Sequence, residues 1–265
     1  MKIVRFLANG DSPIWGEVVG AAQARPLIGD LFGKFETAIQ AIRIGRRLAP
    51  LDPPNIIAIG RNYADHAKEM KAESTPEEPI IFLKATTSVI GPDDSIALPA
   101  SAPDEVDFEA ELGVIIGRRA KDVSEAAALD HVFGYTCAND VSARDCQKRR
   151  DKQWARGKSF DTFCPLGPLI VTADEMAPEN LPVRSHLNSE LMQDGNTSDM
   201  IFSVPALVSY LSHQFTLLPG TVILTGTPAG VGSARTPPVF LKPNDEIAVE
   251  IEGIGRLANR VVAGR

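Results

Sequence analysis

The sequence Val106-Asp-Phe-Glu-Ala-Glu-Leu-Gly-Val-Ile-Ile-Gly117 alternates between apolar and other residues with a period of two. Successive side chains of a β-strand point to opposite faces, so this alternation predicts a strand. One face would carry the apolar residues Phe108, Ala110, Leu112, Val114 and Ile116. The other would carry the acidic residues Asp107, Glu109 and Glu111, followed by Gly113, Ile115 and Gly117. Because this continuation is small or apolar, we expect the acidic face to run into the protein.

Three carboxylates on one buried strand face repel one another. Their pKa values would rise unless a cation or hydrogen-bond donors kept them ionised. Two carboxylates at positions i and i+2 suit oxygen coordination of a hard divalent cation such as Mg²⁺, Mn²⁺ or Ca²⁺. The alternative is a polar outer face on an antiparallel strand, and the short pattern by itself leaves both interpretations open.

The composition is typical of a globular protein. The chain has 265 residues, 44% of them hydrophobic and 23% charged, which suits one large domain with a small additional one. The net charge of −7 argues against nonspecific nucleic-acid binding and against docking on acidic membranes. Three scattered cysteines indicate neither a disulfide framework nor a zinc site. Without an apolar run of about 20 residues or a signal peptide, we expect no membrane span and a cytoplasmic location.

The N-terminal residues predict a small α+β domain over residues 1–53. Alternation predicts strands at residues 2–7, 14–19 and near 25–28, and apolar periodicity predicts a helix over residues 35–48. The proline-rich segment Ala49-Pro-Leu-Asp-Pro-Pro54 then forbids a continuing helix. Residues 54–265 would form the second, catalytic domain.

A second candidate site follows the short apolar strand predicted at residues 55–59. Asn62 can cap a helix on which His66 and Glu69 share a face at i and i+3. A carboxylate that holds an imidazole in this way builds a general base. The alternative is an exposed surface pair. Residues 71–79 lack a bulky apolar anchor, so we expect residues 62–79 to behave as a mobile lid.

Two further segments carry polar residues that suit a site. Asp140 follows the strand predicted at residues 132–139, where a third metal ligand could stand. The segment from Arg144 to Lys158 carries seven basic residues and suggests an anion site, although a solvated basic face explains Lys148 to Lys152 better. The loop Thr225-Gly-Thr-Pro-Ala-Gly-Val-Gly232 offers N–H groups and hydroxyls to an anion.

These motifs, in this order, resemble the fumarylacetoacetate hydrolase superfamily. The resemblance spans about residues 54–262 and rests on Gly60-Arg-Asn-Tyr63 with His66, Phe108-Glu-Ala-Glu-Leu112, Asn139-Asp-Val-Ser-Ala-Arg-Asp145 with Gln147, Gly157-Lys-Ser-Phe160, Asn196-Thr-Ser-Asp-Met200 and Leu224-Thr-Gly-Thr-Pro-Ala-Gly-Val-Gly232. Gln153-Trp154 and Pro237-Pro-Val-Phe-Leu-Lys242 look most like the subgroup called fumarylacetoacetate hydrolase domain-containing protein 2 and its bacterial relatives.

The resemblance implies an α+β fold with a mixed β-roll, a homodimer, and Mg²⁺ or Mn²⁺ held by Glu109, Glu111 and Asp140. It also implies that a small anionic 2-oxo acid chelates the metal. His66, Glu69 and Lys158 would be the catalytic residues. The candidate substrate-binding residues are Arg61, Tyr63, Arg144, Gln147 and Thr227.

The expected activity is C–C bond hydrolysis of an acylpyruvate or fumarylpyruvate. A metal-chelated 2-oxo acid is an electron sink, and the same sink also serves other reactions. These are oxaloacetate tautomerisation or decarboxylation, and isomerisation of 2-hydroxyhepta-2,4-diene-1,7-dioate. These reactions are therefore alternatives, and a non-catalytic binding protein of the same fold is a more remote one.

Overall fold

The computed structural model describes residues 1–8, 12–70 and 74–264. Residues 1–53 contain the strands β1 (Lys2–Leu7), β2 (Pro13–Gly20), β3 (Gln23–Gly29), β4 (Phe35–Thr37) and β5 (Ile42–Arg43). Residues 54–160 contain β6 (Ile56–Gly60), α1 (Ala64–Glu69), β7 (Ile80–Lys84), β8 (Val89–Ile90), β9 (Ser95–Leu98), β10 (Val106–Asp107), β11 (Ala110–Ile116), β12 (Val132–Asn139), β13 (Ser142–Ala143) and α2 (Ala155–Lys158). The rest of the chain contains β14 (Cys164–Thr172), β15 (Pro182–Leu187), β16 (Glu190–Asn196), α3 (Val204–Gln214), β17 (Val222–Leu224), β18 (Glu246–Ile251) and β19 (Gly255–Ala263).

Two mixed sheets make up most of the described chain. The larger has 12 strands and runs β4-β3-β2-β1-β14-β12-β11-β17-β6-β7, with β5 paired to β3 and β8 to β14. The smaller has five strands in the order β16-β15-β18-β19-β9. Strands β10 and β13 pair as a separate short ribbon.

The main core lies between these two sheets and the helix α3. Leu112 and Tyr135 of the large sheet belong to the same buried cluster as Val183 and Val249 of the small sheet. Leu211 on α3 belongs to it as well. Ser203 caps α3, because its side chain accepts a hydrogen bond from the backbone N–H of Ala206. Packing on both sides holds the central strands of the large sheet in fixed positions.

The acidic strand is buried on both faces. The apolar residues from Ala110 to Ile116 enter the main core, as the alternation predicts. Asp107, Glu109 and Glu111 are at most 5% exposed, so the prediction that the acidic face runs into the protein is confirmed. The strand breaks between β10 and β11, and Phe108 therefore packs in a different buried cluster from Ala110.

The prediction of a helix over residues 35–48 is wrong. The chain there forms β4 and β5, which both pair with β3. The apolar periodicity was misleading because Ile39 is fully exposed, while Ile44 packs beside Val4 and Phe6. Backbone pairing with β3 satisfies the polar groups that a helix would have paired internally.

The N-terminal strands extend the large sheet. Strand β1 pairs with β14, with Ile3 opposite Ile170. The boundary predicted at residue 53 falls in the loop between β5 and β6. A separate small domain over residues 1–53 stays a prediction, and the part of it that the structure describes contains strands rather than a helix.

Candidate active site

The predicted metal ligands come together at the adjoining ends of two strands. Glu109 directly precedes β11, Glu111 is the second residue of β11, and Asp140 directly follows β12. The strands run antiparallel with Ala110 opposite Asn139, which brings the three side chains together. One carboxylate oxygen of each residue lies within 4.8 Å of the others.

Three buried cations face these carboxylates. The Nζ atom of Lys158 on α2 lies 2.6 Å from Glu109 and 2.7 Å from Asp140. Lys84 at the end of β7 lies 2.5 Å from the other Asp140 oxygen, and Arg144 lies 2.7 Å from Glu109. Arg144 also pairs with Asp107 at 2.8 Å. We call these seven residues the buried ion cluster: Lys84, Asp107, Glu109, Glu111, Asp140, Arg144 and Lys158.

The charges in the buried ion cluster shift its pKa values in opposite directions. Burial raises the pKa of Glu109, but Lys158 and Arg144 outweigh it and lower that pKa below its usual range. Burial lowers the pKa of Lys158, but Asp140 and Glu109 outweigh it and raise that pKa above its usual value. Lys158 is therefore an ammonium ion and a hydrogen-bond donor.

Glu111 is the carboxylate that the protein compensates least. Burial raises its pKa well above the usual value, and the neighbouring Asp140 and Glu109 raise it further. In the described part of the chain, the donor that reaches Glu111 is the N–H of Gly226, at 2.7 Å. When all four carboxylates of the buried ion cluster are ionised they face three cations, so one negative charge is in excess, and this excess is what the raised pKa of Glu111 reflects. A hard divalent cation bound by Glu109, Glu111 and Asp140 fits this oxygen-only donor set.

A cavity of about 370 Å³ lies over the buried ion cluster. Glu109, Glu111, Arg144 and Lys158 line its inner part. Four further polar residues in its wall form what we call the cavity rim: Arg61, His66, Lys148 and Lys152. The rest of the wall is formed by the apolar side chains of Ile59, Met70, Phe82 and Trp154 and by Gly60, Gln147, Asp151 and Thr227.

His66 and Glu69 form the predicted pair on α1. The imidazole Nδ1 lies 2.8 Å from Glu69, and His66 is buried in the cavity wall. The second oxygen of Glu69 accepts a hydrogen bond from the N–H of Gly230 at 2.9 Å. Glu69 thus fixes the imidazole from one side and attaches α1 to the Gly/Thr loop on the other. Part of the predicted lid, residues 71–73, lies outside the described residues.

The Gly/Thr loop binds carboxylates of the protein itself. Its N–H groups at Gly226 and Gly230 reach Glu111 and Glu69, and those at Gly232 and Ser233 reach Asp107. Gly226 and Gly230 have φ angles of 97° and 106°, which L side chains rarely adopt. Ser233 directly follows the loop. The expectation that the loop's N–H groups serve an external anion is therefore wrong for Gly226, Gly230 and Gly232, because the chain's own carboxylates use them.

The predicted substrate-binding residues have different surroundings. Arg61, Arg144, Gln147 and Thr227 all line the cavity. Arg144 donates to Gln147 at 2.9 Å, and the hydroxyl of Thr227 donates to the carbonyl of Ala110 at 2.9 Å.

Tyr63 does not line this cavity. It is buried, and its hydroxyl has no hydrogen-bond partner among the described residues. Burial, with Glu111 and Asp199 nearby, raises the pKa of this phenol. Among the five candidates, Tyr63 is the one that does not line the described cavity.

Two buried polar residues near the site, Lys84 and Gln193, were not predicted as part of it. Lys84 donates to Asp140 and to the backbone carbonyl of Lys158, so it joins β12 to α2. Gln193 donates to Thr227 at 2.7 Å. The sequence offered one signal for Lys84, a lysine at the end of the apolar run Ile80-Ile-Phe-Leu.

Asn62, predicted as a helix cap, has a different role. Its side chain bonds the backbone of Phe202 and the carbonyl of Thr225, with distances of 2.8–3.0 Å. The residue that precedes α1 is Tyr63, and no side chain caps this helix. Asn62 therefore holds the chain just before α1 against two distant loops.

No helix in the described residues is both long enough and apolar enough to cross a membrane.

Comparison with known proteins gives the family of this chain. Residues 55–262 match the family model described as fumarylacetoacetate (FAA) hydrolase, C-terminal. The chain is 51% identical to oxaloacetate tautomerase fahd2 of Xenopus laevis, named as mitochondrial. That match extends over 218 residues and covers 81% of this chain and 68% of the relative.

Two solved structures illustrate the similarity of the fold. One is a 2-hydroxyhepta-2,4-diene-1,7-dioate isomerase from Mycobacterium marinum, with 40% identity, a TM-score of 0.87, and coverage of 99% of this chain and 98% of the other. The other is a fumarylacetoacetate hydrolase from psychrophilic Exiguobacterium antarcticum, with 40% identity, a TM-score of 0.85 and 99% coverage of both chains.

These comparisons confirm the predicted α+β fold of the superfamily and support an enzymatic activity. The relative with 51% identity carries the name of a tautomerase. This name agrees with the predicted alternative better than with C–C hydrolysis, the main activity expected from the sequence. With residues 55–262 matched, the chain belongs to the fumarylacetoacetate hydrolase family.

Proposed function

We propose that this protein is a divalent-metal-dependent tautomerase that interconverts the keto and enol forms of oxaloacetate or a closely related 2-oxo acid. The observation that carries the proposal is the buried ammonium of Lys158, in contact with two of the three clustered carboxylates in a cavity also lined by His66. Such a site suits negative charge that develops on a substrate oxygen.

Glu109, Glu111 and Asp140 would hold the metal, and we propose Mg²⁺ or Mn²⁺. Three carboxylates with no sulfur or imidazole ligand favour these hard cations over zinc. When bound, the cation would supply a Lewis acid that draws electron density from the keto and carboxylate oxygens of a 2-oxo acid.

Lys158 stabilises the enolate in this proposal. Removal of a proton from C3 of oxaloacetate leaves negative charge on the oxygen at C2. The ammonium of Lys158 donates a hydrogen bond to this oxygen, and its raised pKa keeps it charged. A proton placed on the oxygen gives the enol, and a proton returned to C3 gives the keto form.

The His66–Glu69 pair moves the proton in this proposal. Glu69 fixes the imidazole through Nδ1 and leaves Nε2 to exchange a proton with the substrate. Arg61, Arg144, Gln147 and Thr227 surround the same cavity and would orient the substrate.

The second candidate is hydrolysis of an acylpyruvate, the activity expected from the sequence. The His66–Glu69 pair favours it, because an imidazole held by a carboxylate can also deprotonate water. One solved structure with 40% identity is named as a fumarylacetoacetate hydrolase. Tautomerisation remains the first proposal because the relative with 51% identity is named for it.

The decisive experiment is a comparison of substrates with one preparation. Chelator-treated protein is reloaded with Mg²⁺ or Mn²⁺ and assayed on enol oxaloacetate, keto oxaloacetate and an acylpyruvate. Samples with the same metal but no protein correct for metal-catalysed reactions. We expect fast interconversion of the oxaloacetate tautomers and slow acylpyruvate cleavage. Efficient acylpyruvate cleavage without tautomerase activity would replace the first proposal by the second.

We further propose that the protein is a homodimer in the cytoplasm. The family resemblance motivates the dimer, and the sequence expectation described above motivates the location. Light scattering at several concentrations should give twice the mass of one chain. Fractionation of source cells should recover the protein with cytoplasmic markers, and recovery with organelle markers would contradict the location.

A further inference from the structure

The basic segment from Arg144 to Lys158 divides into two groups. Five of its seven cations form ion pairs with carboxylates: Arg144 with Asp107 and Glu109, Arg149 with Glu105, Arg150 with Asp145, Arg156 with Asp151, and Lys158 with Glu109 and Asp140. The other two cations, Lys148 and Lys152, pair with no carboxylate among the described residues. The segment therefore keeps two positive charges uncompensated within the described chain.

Both uncompensated lysines lie in the wall of the active-site cavity. The Nζ atom of Lys148 has a neutral partner, the hydroxyl of Ser233 at 3.4 Å. Partial burial and the neighbouring Arg144 lower the pKa of Lys148, and the more weakly acting carboxylates Asp107, Glu109 and Glu105 do not offset them. Asp151 shares the wall, but it is engaged by Arg156 through two hydrogen bonds.

The charges of the cations deeper in the cavity are already compensated by carboxylates of the protein. Lys158 and Arg144 contact buried carboxylates of the protein. On the cavity rim, the guanidinium of Arg61 lies over the ring of Trp154 at 5.8 Å. Within the described chain, the cavity cations without a carboxylate partner are therefore Arg61, which stacks on Trp154, and the two neighbouring lysines Lys148 and Lys152, which together offer two charges to a carboxylate at the far end of a substrate.

We infer that Lys148, assisted by Lys152, binds the distal carboxylate of the substrate, so that the enzyme selects dicarboxylic over monocarboxylic 2-oxo acids. This inference rests on the proposed function, because it assumes that the 2-oxo end of the substrate lies at the buried ion cluster. The distal carboxylate does not react during tautomerisation. The free energy of its contact with Lys148 would thus be equal in the ground state and the transition state. Loss of this contact would therefore raise KM and leave kcat unchanged.

The test compares oxaloacetate with 2-oxosuccinamate, in which a neutral amide replaces the distal carboxylate. Both probes are assayed with Mg²⁺-loaded wild type and with Lys148→Met. We expect wild type to prefer oxaloacetate, and Lys148→Met to lose about tenfold in kcat/KM for oxaloacetate through KM, the scale of one hydrogen bond to a charged group. The value for 2-oxosuccinamate should hardly change.

Arg149→Met is the matched control. It removes one positive charge at the adjacent position, but Arg149 is exposed and pairs with Glu105 outside the cavity. This variant should keep the wild-type preference. Lys152→Met should give a smaller loss than Lys148→Met in the same direction. Both lysines are exposed, but among the described residues only Lys148 of the two has a side-chain partner, the hydroxyl of Ser233.

Two results would overturn the inference. One is an equal loss for both probes in Lys148→Met, and the other is the same change in Arg149→Met as in Lys148→Met. Calorimetric binding of both probes to the Mg²⁺-loaded proteins separates this inference from the proposed function. Selective binding that depends on Lys148 but leads to no turnover would refute the tautomerase proposal and support the carboxylate site. Turnover of both probes by wild type without a preference for oxaloacetate would support the tautomerase proposal and refute the carboxylate site.

Discussion

The buried ion cluster and the cavity rim differ in how their side chains are held. Each charge of the buried ion cluster is bonded to elements distant in sequence, as when Lys84 on β7 reaches Asp140 after β12. On the cavity rim, His66 is held by a neighbour on its own six-residue helix, and Lys148 by one neutral hydroxyl.

The difference has a physical reason. Charges in the buried ion cluster are nearly removed from water, so each depends on the others for compensation, and the loss of one leaves another uncompensated. On the cavity rim, Arg61, Lys148 and Lys152 are at least partly exposed, and the buried His66 has its partner on the same helix, so single changes there leave no buried charge uncompensated. We therefore expect replacements in the buried ion cluster to cost much more activity than replacements in the cavity rim, which should alter rate or selectivity. Four experiments test this expectation.

The largest effect is expected from Glu111→Ala. This variant removes one of three proposed metal ligands and should lose detectable activity. Wild type should also gain thermal stability as Mg²⁺ or Mn²⁺ is added, because a ligand that binds only the folded state stabilises it. Glu111→Ala should fold but lose this gain, while Glu125→Ala, an exposed glutamate, should keep it. A fully active protein after chelation would refute the metal site.

The next effect is expected from Lys158→Met. Loss of the ammonium that stabilises the enolate oxygen should cost roughly 10²–10³-fold in kcat for oxaloacetate tautomerisation. Lys121→Met provides the control, since Lys121 is exposed and pairs with Asp122. Metal uptake is measured in parallel by calorimetry. An active Lys158→Met enzyme with intact metal binding would show that Lys158 compensates charge without taking part in the reaction.

A milder effect is expected from His66→Ala on the cavity rim. If the reaction is tautomerisation, we expect a loss below about 10²-fold in kcat. Deprotonation of water in acylpyruvate hydrolysis would instead raise the loss to about 10²–10⁴-fold. Asp65→Ala on the same helix is the control, because Asp65 is exposed and pairs with Lys68. A greater loss in His66→Ala than in Lys158→Met would reverse the order that our comparison predicts.

The smallest effect concerns the dynamics of α1. The N–H groups of Ala67 and Met70 bond within or next to this short helix, so they should exchange with solvent faster than those of β11. Added oxalate with Mg²⁺ should slow their exchange, as expected for a helix that closes over a ligand. Slow exchange without ligand, equal to that of β11, would contradict the predicted lid.

Several parts of the site could be predicted from the sequence because they depend on local spacing. The period of two placed Glu109 and Glu111 on one strand face, and the spacing of three placed His66 beside Glu69. Outside the site, the turn at Asn188-Ser189 between β15 and β16 also depends on neighbouring residues alone. These two residues adopt the positive φ angles of 50° and 71° that a tight hairpin uses.

Other features depend on contacts between distant segments. The apolar periodicity of residues 35–48 is compatible with a helix, and only pairing with β3 makes this segment strands. In the same way, the N–H groups of Gly226, Gly230 and Gly232 in the Gly/Thr loop are available in the sequence to any anion. The tertiary structure brings Glu69, Asp107 and Glu111 to them.

The sequence by itself determined which side chains are present and which of them share a face, because those relations follow from the geometry of one helix or strand. It thereby paired Glu109 with Glu111 and His66 with Glu69, while the roles of Asp140 and Lys158 in the site came from the family resemblance. Only the tertiary structure decided which charges are compensated. Ion pairing depends on distances of a few ångströms between segments far apart in the chain, and those distances exist only after the sheets have packed. Lys84 is committed to Asp140 for this reason, while Lys148 stays available in the cavity wall.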